Sequence, residues 1–187
     1  MLKSRPIAKR VRTSTRLTAS PAIPVAVVAA EPADIPLVER LARDIWHRHY
    51  PGIITREQID YMLERGYSRD ALMRYLTERD AGLALARRGR TAVGFVGWYK
   101  ADGDTMKLDK LYVLPEHQGE GIGRTLIGHV MARARRAGCA AVTLNVNRGN
   151  ARAIGAYERC GFAIRERGDF PIGNGFVMED FIMVRSI

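Results

Sequence analysis

The sequence predicts an α+β domain: one mixed, mostly antiparallel central sheet of about six to seven strands, flanked by helices. Three observations predict it. Apolar residues first recur at helical spacing, as in Ile35, Val38, Leu41, Ile45 and Trp46. Three strand-like runs follow at 83–88, 91–100 and 106–114, separated by short segments around Gly89 and Gly103 that carry hairpin-turn residues. Beyond Gly121 the pattern becomes helix, strand, helix and then two closing strands.

The elements follow in order. Residues 25–29 form a short apolar run that reads as a buried first strand. Asp34 is placed to cap a helix over 35–48, with Pro36 tolerated in its first turn and Tyr50, Pro51 and Gly52 ending it. Thr55 followed by Gln58 resembles a capping box, opening a second helix in which Ile59, Met62 and Leu63 share a face. A third helix over 68–79 turns Leu72, Tyr75 and Leu76 inward. After the three-strand meander come a helix over 121–136, a strand over 141–146, a helix over 150–159 and strands near 162–167 and 177–184. The segment 169–176, rich in Gly and aromatics, is expected to be a loop that closes over a substrate.

Length and charge bound the function. A chain of 187 residues, 47% hydrophobic, accommodates one domain over 23–187 and a tail. Net charge is +10, and six of those charges sit on Lys3, Arg5, Lys9, Arg10, Arg12 and Arg16 with no acid among residues 1–22. That segment is expected to be a disordered basic tail, drawn to polyanions only through nonspecific electrostatics. The remaining +4 is too mild for a nucleic-acid-binding face, and specific nucleic-acid recognition is not expected. No apolar run approaches the roughly twenty residues of a membrane span. Cys139 and Cys160 match neither a disulfide framework nor a metal-ligand spacing, and His47 and His49 are spaced wrongly for a helical metal pair. No metal and a cytoplasmic location are expected.

The chemistry concentrates at residues 108–124, LDKLYVLPEHQGEGIGR, where a strand enters a glycine-rich turn and a helix begins. The first N–H groups of a helix lack intrahelical partners, and the aligned peptide dipoles add partial positive charge there. An anion site results, with Arg124 adding a fixed charge. The P-loop spacing fails because position 118 is Gln and position 124 is Arg; the dinucleotide fingerprint fails because Arg124 and Leu126 stand where its third glycine belongs.

Gln118-x-x-Gly121-x-Gly123 resembles the acetyl-CoA pyrophosphate motif of GNAT N-acetyltransferases, and the preceding LYVLP is similar to the strand end of that family. Residues 144–162, LNVNRGNARAIGAYERCGF, resemble its second signature, with Asn150, Ala153, Tyr157, Gly161 and Phe162 in register. The opening at 28–36 is similar as well, so the resemblance spans about residues 25–187.

The resemblance implies a set of roles. Backbone groups of Leu111, Tyr112 and Val113 would pair with the pantetheine arm of acetyl-CoA, which enters beside a splayed strand. The turn headed by Gln118, through the amides of Gly119, Gly121, Ile122, Gly123 and Arg124, would hold the pyrophosphate. Asn150 reads equally as a helix N-cap and as a contact to the coenzyme arm. Tyr157 reads as a packed aromatic or as the acid that protonates the departing thiolate. An alkylammonium of pKa about 10.4 costs ~4.6 kcal/mol to deprotonate at pH 7, so a base is expected. Asp109 is the candidate; its alternative is a salt bridge to Lys110. The implied function is acetyl transfer from acetyl-CoA to a primary amine by direct attack, and its alternative is a non-catalytic CoA-binding regulatory module. The resemblance also allows a homodimer. Residues 46–51, with Tyr61 and Tyr67, are candidates for lining the acceptor pocket.

Overall fold

The computed structural model describes residues 23–187. The expected basic tail lies outside the described residues. Seven strands, β1 (Val25–Ala29), β2 (Ala81–Arg88), β3 (Thr91–Lys100), β4 (Thr105–Val113), β5 (Ala141–Asn147), β6 (Ala163–Gly173) and β7 (Phe176–Ser186), form one sheet in the order β1-β2-β3-β4-β5-β7-β6. Every pairing is antiparallel except β4–β5. The helices are α1 (Ile35–His49), α2 (Arg56–Tyr67), α3 (Arg69–Thr77), α4 (Ile122–Arg136) and α5 (Ala151–Arg159). The mixed, mostly antiparallel α+β architecture is the one the sequence predicts.

Two cores lie on opposite faces of the sheet. On one, Leu126, Val130 and Ala134 of α4 pack on Met106, Leu108, Val142 and Leu144, with Tyr157 of α5 alongside. On the other, Ile35, Val38 and Ile45 of α1, Ile59 and Leu63 of α2 and Leu72 of α3 cover Leu83, Leu85 and Phe95. A bulge in β4 governs which side chains face which core. Lys110 pairs with Gly97 and Leu108 with Trp98, so Asp109 is an extra residue without a partner on β3. An extra residue reverses the alternation of the strand. Met106 and Leu108 face α4, whereas beyond the bulge Leu111 and Val113 take that face, and Lys110 and Tyr112 turn toward α1–α3.

Four sequence expectations change. The first strand is not buried: β1 lies at an edge of the sheet and none of its residues is buried. Asp34 does not cap α1. It sits in a short 3-10 turn, accepts from the Glu31 N–H at 3.1 Å and pairs with Arg87 at 2.7 Å. Thr55 does cap α2, accepting from the Gln58 N–H, but the Gln58 side chain donates to the Val177 carbonyl instead of closing the box. The expected loop 169–176 is strand on both sides of a turn at Asn174 and Gly175, because β6 and β7 pair as far as Gly173↔Phe176. Tyr61 anchors that hairpin by donating to the Ile172 carbonyl at 2.8 Å.

Candidate functional site

The site begins where the sheet divides. β4 and β5 pair only at Thr105↔Ala141, Met106↔Val142 and Lys107↔Thr143, and then part. The Leu114 N–H donates to the Val93 carbonyl at 2.9 Å. Antiparallel alternation then points the N–H and C=O groups of Leu111 and Val113 away from β3, into the gap, while those of Tyr112 stay in the ladder. Apart from the Val113 carbonyl, which accepts from the Gln118 side chain, β4 thus presents an unpaired edge that an extended ligand can complete as an added strand.

The edge leads into the anion site. Gly119 (φ +89°) and Gly121 (φ +83°) adopt left-handed conformations that disfavour any side chain. A Cβ at either would meet nothing within 4 Å, so the space above the turn is open. Gly121 precedes α4 and offers no side-chain cap. Among the described residues, no backbone N–H of 119–124 donates to a protein acceptor. The turn is held from below: Gln118 donates to the Val113 carbonyl at 3.0 Å, Arg88 pairs with Glu120, and Arg48 pairs with Glu116 at 2.9 Å. The Gln118 side chain therefore fixes the turn to β4, and the groups left open at the turn are backbone amides. These unpartnered amides and the open β4 edge fit a pyrophosphate joined to an extended arm.

α5 forms the opposite wall. Asn150 is buried; its Oδ1 accepts from the Ala153 N–H at 3.2 Å, which is the N-cap geometry, and its Nδ2 lies 3.0 Å from His49 Nε2. The cap fixes the amide orientation, so His49 accepts and stays neutral there. Burial lowers its pKa, and the nearby Arg152 charge acts in the same direction. The Tyr157 ring packs edge-on to Phe162 and lines the cavity. Burial, then Tyr50 and Cys160, pushes its phenol well above the ordinary range.

The α1–α3 face of the gap carries charged groups. Asp109 accepts from Tyr75 and from Lys110 at 3.0 Å. Burial opposes its ionisation, but Lys110, the Tyr75 hydrogen bond and Lys107 together outweigh that and hold the carboxyl below the usual range. Lys110 lies over the rings of Tyr67 and Tyr75, at 4.5 and 5.2 Å from their centres. Deeper in the gap, Lys107 donates to Asn145 Oδ1, and Asn145 Nδ2 donates to Asp180 Oδ2 at 3.3 Å. Trp46, Tyr50 and Tyr67 line the same cavity. Tyr61 belongs to the hairpin contact instead, and His47 pairs with Asp60 at 3.3 Å.

The structure thus brings Leu111, Val113, Gly119, Gly121, Ile122, Gly123, Arg124, Asn150, Tyr157 and Asp109 to one cavity. Sequence reasoning missed Asn145 and Asp180. A signal for Asp180 existed: Glu179 and Asp180 are consecutive acids in an apolar strand, and alternation must turn one of them inward. Among the described residues no helix is long and apolar enough to cross a membrane, and no group of three or more His, Cys, Asp or Glu is arranged to hold a metal.

Comparison with known proteins agrees with this geometry. The model of the acetyltransferase (GNAT) family matches residues 40–162. An uncharacterized N-acetyltransferase of Mycobacterium tuberculosis is 31% identical over 137 residues, covering 73% of this chain and 87% of that protein. The spermidine N(1)-acetyltransferase of Thermoplasma acidophilum is 26% identical over 150 residues, covering 78% and 90%. In fold, the chain is similar to the PaiA N-acetyltransferase of T. acidophilum crystallised with coenzyme A, with TM-score 0.76 and 24% identity over 88% of this chain and 99% of that one. With both glycine-turn and Asn–Tyr signatures on one cleft, the chain belongs to the GNAT family of acetyltransferases.

Proposed function

We propose that the chain transfers the acetyl group of acetyl-CoA to a primary amine, by direct attack of the amine. The observation that carries this reading is the continuity of one cavity, ≈ 1270 Å³, from the open amides of 119–124 along the free β4 edge to Asp109, Lys107 and Asp180. That volume exceeds the roughly 300–1,000 Å³ of an ordinary small-molecule pocket and suits a long cosubstrate meeting a second molecule.

Acetyl-CoA supplies the reactive thioester. The backbone N–H groups of Gly119, Gly121, Ile122, Gly123 and Arg124 hold the pyrophosphate, and Leu111 and Val113 hold the extended arm. The Val113 N–H, directed into the gap, is the donor available to a developing oxyanion. Tyr157, kept protonated by burial, donates to the departing thiolate. Asn150 fixes the start of α5 and offers its amide to the arm; Asp109 sets the charge of the acceptor side together with Lys110. The setting proposed is a reducing cytoplasm, in which the free thiols Cys139 and Cys160 stay unpaired.

Calorimetric titration with acetyl-CoA tests the coenzyme half, using Gly121→Trp as the blocked variant. Micromolar-range binding by the wild type, lost in the variant at unchanged circular dichroism, is expected. A folded wild type that binds no acetyl-CoA would sink the reading. A panel of amines, including spermidine and a lysine-bearing peptide, then separates an acetyltransferase from a module that only binds CoA.

A further inference from the structure

The cavity holds a second carboxylate with an unusual environment. Asp180 on β7 is 6% exposed, and its Oδ1 is buried with no hydrogen-bond partner among the described residues. A buried acceptor left unpaired is destabilising, and its persistence calls for a reason. The β5–β7 register sets Asp180 opposite Asn147, on the α1–α3 face of the sheet, across the gap from Asp109. Its other oxygen accepts only from Asn145, whose amide oxygen is taken by Lys107. Asn145 therefore keeps Lys107 one side chain away, and among the described residues Asp180 has no direct ion pair. Asp109, by contrast, is already engaged by Lys110 and Tyr75.

Building on the acetyl-transfer reading above, we propose that Asp180 is the proton acceptor of the reaction, taking a proton from the acceptor ammonium so that the neutral nitrogen can attack. The C–N bond forms as the C–S bond breaks. The nitrogen gives up two protons. One goes to the Asp180 carboxylate, which lines the cavity, and then to solvent; the other replaces the proton that Tyr157 hands to the thiolate. The products are an acetamide, free CoA thiol and one proton.

The environment suits the role. Burial pushes the Asp180 carboxyl up, against weaker opposing contributions from Asn145, Lys107 and Arg148. The titratable groups facing it are Lys107 from β4, Arg148 beyond β5 and Tyr50 at the end of α1. Asp109 is held low and is the weaker base of the two. The raised carboxyl also has a stability consequence. Its ionisation in the fold opposes folding as pH rises through about 3.9 and on through its folded value. Neutralising it should therefore leave the fold as stable, or more so, at pH 7.

The test compares wild type, Asp180→Asn and Asp109→Asn, with aspartate carboxyls labelled with carbon-13 and the protein saturated with CoA. The resonance missing from Asp180→Asn is expected to titrate above the ordinary aspartate range, and above the one missing from Asp109→Asn. With spermidine or the lysine peptide as amine, Asp180→Asn should lose roughly 10²–10⁴-fold in kcat. It should keep the acetyl-CoA affinity of the wild type and melt no lower, and Asp180→Glu should recover part of the rate. A resonance titrating at or below the ordinary range overturns the proposal, whichever amine is used. So does an Asp180→Asn variant that keeps kcat, or one that melts lower and loses acetyl-CoA affinity, the signature of a structural role. If the wild type fails to bind acetyl-CoA, or binds it and acetylates neither amine, the acetyl-transfer reading fails separately and the titration alone decides on Asp180.

Discussion

At the scale of single residues, Asp109 and Lys110 show how one bulge converts a strand into a charged wall. Lys110 is buried at 8% exposure, and its ammonium is offset by the Asp109 carboxylate and two tyrosine faces. Replacing Asp109 with Asn leaves that ammonium with weaker partners. A hydrogen bond to a charged group contributes about 1.5–3 kcal/mol, so a loss of that order is expected at pH 7. The pH dependence follows from the carboxyl being held low. Its stabilisation is fully present above the unfolded value of about 3.9 and disappears as pH falls through the folded one. Melting temperatures of wild type and Asp109→Asn should therefore differ most near neutrality and converge in acid; a constant gap would show that the ion pair contributes nothing. Gly119, Gly121, Asn150 and Tyr157 were legible as candidates because the turn and the helical spacing that bring them to the cleft are local. For Asp180 the sequence shows only that it or Glu179 turns inward; which of the two does so depends on pairing with β5, a contact between segments more than thirty residues apart.

At the scale of elements, the site is made by what β4 does not pair with. Its antiparallel register with β3 continues to Val113, whereas its parallel register with β5 ends at Lys107. The strands themselves were legible from alternation and turn residues, but neither the bulge at Asp109 nor the point of separation leaves a mark in composition. The hairpin at 169–176 was misread for a related reason. Pro171, Gly173 and Gly175 read as loop residues, yet Pro is tolerated on an edge strand, and β6 is an edge of the sheet. Gly94 offers a test of how tightly β4 is held. A Cβ there would lie 2.5 Å from the Tyr112 carbonyl oxygen and 3.2 Å from the Val113 Cα. Backbone cannot swing aside as a side chain does, so β4 must shift. Gly94→Ala is expected to cost about 1–3 kcal/mol and to weaken acetyl-CoA binding, because the shifted residues are the ones that face the cleft. Gly128→Ala on α4, where a Cβ meets nothing within 4 Å, is the matching control. It should gain about 0.4–1 kcal/mol without altering affinity. Equal affinities for the two variants would mean that the β4 edge does not bind the arm.

At the scale of the whole molecule, the sheet is two blocks, β1–β4 and β5–β7, whose strands are joined by the three parallel pairs at the closed end of the gap. α4 bridges them, packing Leu126 and Val130 against both β4 and β5 neighbours, so the two blocks share one core while their edges stay apart. A ligand that pairs with β4 and reaches the α4 N-terminus completes contacts that the protein alone lacks. Binding to the native state alone stabilises by RT ln(1 + [L]/Kd), about 2.7 kcal/mol at a hundredfold excess over Kd. For a domain of this size each kcal/mol shifts the melting temperature by roughly 2–4 °C, so saturating CoA should raise it by about 5–11 °C. The increase should scale with the logarithm of CoA concentration. Where the protection appears is the sharper measurement. The N–H groups of Leu111 and Val113 face the gap and those of 119–124 lack acceptors, so hydrogen exchange there should slow on adding CoA beyond the global change. The Tyr112 N–H, already in the β3–β4 ladder, should follow the global change only. Uniform protection along β4 would show that CoA stabilises the fold without occupying its open edge.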